Sequence, residues 1–164
     1  MASLGVSESD LEAAYSRWGD ELVGYASALV GQAEAGDVVA GVFADLLGRP
    51  LSWWGGVHEP RAYLFRCVLN ASRMAHRSGS RREVREAVAA RLSPTSSQDP
   101  VALVSDGRVV EAVASLSVRQ RAVIYHTYWE DLTPTQTAEL LGVSVGSVKR
   151  QLARARARLR KVLT

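Results

Sequence analysis

Apolar positions recur every three or four residues over most of this 164-residue chain, and no segment sustains a period of two. Leu11, Ala14, Tyr15 and Trp18 share one helical face, and Leu22, Tyr25, Ala26 and Leu29 continue it. Val38, Val39, Val42, Phe43, Leu46 and Leu47 form a second stripe. Tyr63, Leu64, Cys67, Val68 and Ala71 form a third, opened at Pro60. Proline suits the first helical position, where its missing N–H would have no partner anyway. The stretch SWWGGVHE at 52–59 interrupts the pattern, because a Gly55-Gly56 pair is costly inside a helix. The one Asp-Gly pair, Asp106-Gly107, lacks strand-like runs on both sides. The pattern predicts an all-α protein.

Residues 93–100, SPTSSQDP, hold two prolines and three serines and read as a tether. The chain is thus expected to form two small helical domains. An N-terminal helical bundle covers 1–92, a flexible linker 93–108, and a four-helix domain 109–164. In the last, Val109, Val110, Val113 and Leu116 make an amphipathic helix. Ser117 with Gln120, and Thr133 with Gln136, are capping boxes that start two more, the second with Pro134 at its first position. The helix from Ser117 should run to about Tyr128. Gly142 offers the left-handed conformation that ends a helix. Ser144 caps a last helix, whose apolar seam is Val148, Leu152, Ala155, Leu159 and Val162.

A short capped helix, a glycine turn and a longer basic helix describe a helix-turn-helix, whose second helix enters the major groove. A plain bundle with a solvated basic face would share the seam. It would not need two capping boxes, a turn glycine and seven cations on one helix with no acid there. Ser147, Lys149, Arg150 and Arg154 are the candidates for base edges, since they occupy the first exposed turns. Arg156, Arg158 and Arg160 suit phosphates. Thr133, Thr135 and Gln136 head the preceding helix, whose free N–H groups also suit a phosphate.

Charge sharpens this picture. The net charge is only +3, but residues 1–60 carry −7, 61–93 carry +6, 94–132 carry −2 and 133–164 carry +6. Two cationic blocks suggest two contacts with a polyanion. Arginine supplies 18 of the 20 basic residues, which favours bidentate recognition of phosphate and base edges. The single cysteine, Cys67, excludes a disulfide scaffold and multi-thiolate zinc. His58, His76 and His126 lack metal-ligand spacing. No phosphate loop, nucleophile elbow or zinc-protease motif occurs. No metal, cofactor or catalytic residue is therefore expected, and the chain is read as a non-enzyme. No apolar run nears the roughly 18 residues of a membrane span, and the N-terminus lacks a signal-peptide pattern. Cytoplasmic localisation without membrane insertion is expected.

The elements LSVRQRAV, EDLTPTQTAELLGVSVGSVK and RARARLR within 112–163 together resemble the −35 reading domain of bacterial RNA polymerase sigma factors of the extracytoplasmic-function group. AGDVVAGVFADLLGR (35–49) resembles the helix by which such factors grip the polymerase clamp. EPRAYLFRCVLNASRMAHR (59–77) resembles their −10 helix. The resemblance implies a factor that binds the clamp and flap regions of core RNA polymerase and promoter DNA, with an anti-sigma protein as a further partner. It places Asp37, Ala40, Gly41 and Asp45 on the clamp helix. It places Trp54, Cys67 and Asn70 around the −10 base pocket, with Arg61, Arg66, Arg73 and Arg77 on or beside that helix. Either Trp53 or Trp54 could instead plug the core, Asn70 could lie on the helix surface, and Cys67 also reads as core filler. Where the family usually has acidic and Gln-acid pairs, this chain has Gly36, Asp37, Ala40 and Gly41. Met74 stands where an acid is common, and Tyr63 where Trp is. The alternatives are a stand-alone helix-turn-helix regulator with an N-terminal interaction domain, and a helical adaptor that binds protein only.

Overall fold

In a computed structural model the described residues are 8–90 and 107–164, without the side chains of 51–52, 80–90, 107 and 110. Eight α-helices follow in order: α1 (Glu8–Val30), α2 (Gln32–Leu47), α3 (Leu51–Trp54), α4 (Pro60–Ala90), α5 (Gly107–Ala114), α6 (Val118–Ile124), α7 (Pro134–Leu141) and α8 (Val145–Leu163). No strand occurs among the described residues. Most of the expected linker, 93–106, lies outside them, as do the side chains of Arg81, Arg82 and Arg85.

The breaks have local causes. Gly31 turns the chain between α1 and α2 at φ 92°, a conformation that a Cβ disfavours. Pro60 opens α4 as its first residue. The expected apolar faces of α1 and α2 meet through Leu11, Ala14, Leu22, Leu29, Val39, Val42 and Leu46, all buried. Leu64, Phe65 and Val68 of α4 close this core. Tyr15, expected on the same face, sits at its edge, 52% exposed, with its ring edge-on to Phe43 at 5.1 Å. Val109 and Val113 of α5 are exposed, while Ala112 and Leu116 are buried.

The helix expected to run from Ser117 to Tyr128 changes winding after Ile124. Tyr125–Trp129 form a π-helical turn, closed by a hydrogen bond from Glu130 N to the Tyr125 carbonyl at 3.2 Å. This wider turn aims Tyr125 and His126 inward and leaves Tyr128 and Trp129 exposed.

The two groups of helices pack directly on one another: α1 and α4 touch α6, and α4 touches α7. Buried residues of both groups form one continuous apolar cluster. At the junction the Tyr25 ring of α1 packs at a tilt against Tyr125 at 5.1 Å and His126 at 4.9 Å, and Phe65 of α4 lies 5.7 Å from His126.

Candidate nucleic-acid interface

The helix-turn-helix is α7, Gly142 and α8. Thr133 Oγ1 accepts from Gln136 N at 3.1 Å, and Thr133 N donates to Gln136 Oε1 at 2.9 Å. Both expected capping boxes are thus formed, the other by Ser117 and Gln120. Gly142 is left-handed at φ 67°, and Val143 N reaches back to the Ala138 carbonyl at 3.1 Å. Ser144 Oγ then accepts from Ser147 N at 3.1 Å. Val148, Leu152 and Ala155 anchor α8 in the core.

Anchoring that seam leaves Lys149 and Arg150 exposed, with Arg154 exposed one turn further on and Ser147 half-buried. Thr135 and Gln136 at the head of α7 are exposed too. Arg156 is engaged differently. Its Nε donates to the Tyr128 hydroxyl at 2.9 Å, and its guanidinium lies over that ring. The two line a cleft of about 530 Å³ with Leu159 and Leu163.

In the first half, a cleft of about 540 Å³ lies between α4 and the end of α3 with its following loop, lined by Trp53, Gly56, Val57, His58, Glu59, Ala62, Tyr63 and Arg66. Trp53, not Trp54, supplies its indole. Trp53 meets Tyr63 edge-on at 5.1 Å, with the Arg49 guanidinium 4.6 Å above its ring. Trp54 is buried at 9% exposure within the core. Cys67 is half-buried on α4, one helical turn beyond Tyr63. Burial pushes the Cys67 thiol up, so it stays protonated at neutral pH. Burial and the Cys67 contact push the Tyr63 hydroxyl up to about 12. Asn70 and Arg77 lie exposed on α4, one face two turns apart.

Arg61, Arg66 and Arg73 of α4 face the second half. Arg61 pairs with Glu21 and, at 3.5 Å, with Glu130, and lies 4.7 Å over the Phe65 ring. Arg66 donates to the carbonyls of Leu140 at 2.9 Å and Glu139 at 2.8 Å. The Arg73 guanidinium is pushed down by burial and by the like charges of Arg119 and Arg77, so cations from both halves converge there. Glu130 is held below the usual glutamate range: burial opposes this, but the His126 hydrogen bond and the Arg61 charge prevail.

On α2, Asp37, Ala40, Gly41 and Asp45 are all exposed. Spaced by three and four residues, they share the outer face of the helix. Space around Gly36 and Gly41 is open. The described residues contain no His, Cys, Asp or Glu group able to hold a metal ion, and no helix among them is long and apolar enough to cross a membrane.

Sequence reasoning did not find the two-sided role of Arg66 or the exposure of Trp53 in place of Trp54. For the tryptophans, adjacent helical positions differ by about 100°, and nothing local says which of the two turns inward.

A capped helix-turn-helix with a cationic outer helix, joined to an arginine-rich helical half, defines a DNA-binding protein of the transcription machinery. Residues 106–159 match the family model for region 4 of sigma-70. The chain is 31% identical over 134 residues to RNA polymerase sigma-E factor of Streptomyces antibioticus, covering 79% of this chain and 71% of that one. It is similar in fold to sigma factor RpoE of Bartonella quintana, solved with the anti-sigma factor NepR (TM-score 0.59, 23% identity, 94% of this chain and 96% of that one). It is likewise similar to CnrH, solved with the cytosolic domain of CnrY (TM-score 0.59, 25% identity, 96% and 89%). The chain belongs to the RNA polymerase sigma factors, in the extracytoplasmic-function group.

Proposed function

We propose that this sigma factor binds core RNA polymerase through the outer face of α2 and its C-terminal half, and directs initiation at promoters read at two places. The first turns of α8 enter the duplex −35 element, where Lys149, Arg150 and Arg154 reach base edges and flanking phosphates. The melted −10 strand lies along α4, with an unstacked base against Trp53 and Tyr63 in the adjoining cleft. Residues 1–92 act as the polymerase-binding and melting unit, 93–108 as the tether and 109–164 as the −35 unit. The polymerase performs the chemistry, and this chain supplies recognition and opening in the cytoplasm, where the chromosome lies. An anti-sigma protein that holds the factor inactive completes the reading. It is supported by the Bartonella factor, whose structure was solved with one.

The observation that carries this reading is the α7–Gly142–α8 unit, which buries Val148 and Leu152 and so leaves Lys149, Arg150 and Arg154 exposed on the outer side of α8. The test is transcription in vitro with purified core polymerase on a supercoiled library. Specific transcripts that require the chain are expected, and so is a loss of opening in Trp53→Ala that a pre-melted template restores. A chain that yields no transcripts but footprints duplex DNA without polymerase would instead be a stand-alone regulator.

A further inference from the structure

The cleft between α3 and α4 is walled by an indole with few contacts to hold it. Trp53 is the third residue of a four-residue helix, and the Gly55-Gly56 pair that follows brings no side chains to pack against it. Its neighbour Trp54 is anchored in the core, whereas Trp53 is 37% exposed. Tyr63 meets the Trp53 ring edge-on at 5.1 Å. The second contact comes from Arg49, in the 48–50 link between α2 and α3. Its guanidinium lies 4.6 Å above the centre of the indole.

The backbone delivers Arg49 from a firm base. Arg49 N donates to the Leu46 carbonyl at 3.2 Å, at the end of α2. Pro50 follows as the cap of α3, at φ −55°, a torsion that its ring fixes. Among the described residues no carboxylate pairs with the Arg49 side chain, so its charge is directed to the ring instead of being neutralised. That charge also bears on the adjoining face of α4, where it works against the upward push on the Tyr63 hydroxyl and the Cys67 thiol. A guanidinium over an exposed indole adds little stability to a fold. It does fix how the ring stands. A ring already fixed loses little rotamer freedom when a base stacks on it, so capture of the base is less costly.

We propose that Arg49 is a positioning residue for promoter opening: its guanidinium holds the Trp53 indole in the orientation that receives an unstacked base, and it acts through that ring, not on the DNA. This rests on reading the cleft as the site of the melted −10 strand. A phosphate contact from Arg49 would be a different role, because it would not need Trp53.

The experiment uses holoenzyme assembled from the full chain and core polymerase, on a promoter recovered from the supercoiled library. Permanganate reactivity of unpaired thymines reads the open fraction. Arg49→Ala should lower the opening equilibrium about two- to fivefold, the strength of an exposed cation–π contact. Arg49→Lys, which keeps the charge without the planar fork, should recover part of that loss. Trp53→Ala should lose at least as much as Arg49→Ala, and the double variant should open no worse than Trp53→Ala alone. Affinity for core polymerase, read by competition with the wild type, should not change in Arg49→Ala. In the chain labelled with 5-fluorotryptophan, the Trp53 fluorine resonance, assigned by Trp53→Phe, should move further in Arg49→Ala than those of Trp18, Trp54 and Trp129. An additive loss in the double variant, an unmoved Trp53 resonance, or weaker core binding that accounts for the defect would each overturn the proposal. The single variants separate the failures. Normal opening in Trp53→Ala removes the strand-receiving reading of the cleft and the proposal with it, whereas impaired opening there beside wild-type opening in Arg49→Ala removes the role of Arg49 alone.

Discussion

At the scale of single residues, Gly142 carries two constraints at once. Its φ of 67° is left-handed, and an added Cβ would lie 3.0 Å from the Arg66 guanidinium. Gly142→Ala should therefore cost about 1–2 kcal/mol of stability, read from the urea midpoint at unchanged m-value. Arg150 stands exposed where α8 would meet base edges. Arg150→Ala should cost about 1–3 kcal/mol at one −35 base pair, measured by competition among single-base variants of the element; an equal loss on every variant would mark a phosphate contact. Signals of this size were legible in the sequence because they are local. Ser117, Thr133 and Ser144 cap, and Gly142 terminates, through neighbours three or four positions away. Arg66 was legible as a cation but not as a helix cap, since its acceptors lie more than seventy positions along the chain.

At the scale of elements, the expected helices formed where apolar periodicity and start signals agreed, as in α4, α7 and α8, and in α1 and α2 on periodicity alone. The π turn at Tyr125–Trp129 had no such signal. Its extra residue is accommodated by packing of Tyr125 and His126 against Tyr25 and Phe65, a tertiary cause that a window of sequence does not contain. Helix α2 is the element with the clearest margin for improvement. Gly41 sits mid-helix with open space around it, so Gly41→Ala should stabilise the protein by about 0.4–1 kcal/mol in thermal or denaturant melts. Placing polar groups on the same face, as in Ala40→Gln with Gly41→Glu, should tighten binding to core polymerase. Unchanged affinity would move the docking surface off α2.

At the scale of the whole molecule, the all-α class and the helix-turn-helix followed from pattern, whereas the docking of one half on the other did not. The ties that make it, Arg61 to Glu130, Arg66 to the Glu139 and Leu140 carbonyls, and Arg121 to the Leu29 carbonyl, join positions with no sequence relation. One of them gives a pH dependence. Glu130 faces His126, Arg61 and Tyr125, and its carboxyl is held below the usual range. Its contribution to the folded, docked state is therefore present above the ordinary glutamate pKa and lost as pH falls through the lowered one. Scattering at falling pH should show the halves loosening at the acid end of the carboxylate range, and Glu130→Gln should remove that limb of the curve. The packing also bears on the order of events. Lys149, Arg150 and Arg154 stay exposed while Arg61 and Arg66 are committed across the junction. On the function proposed above, a paired double helix would therefore find its cations at hand ahead of a parted one, with encounter preceding melting.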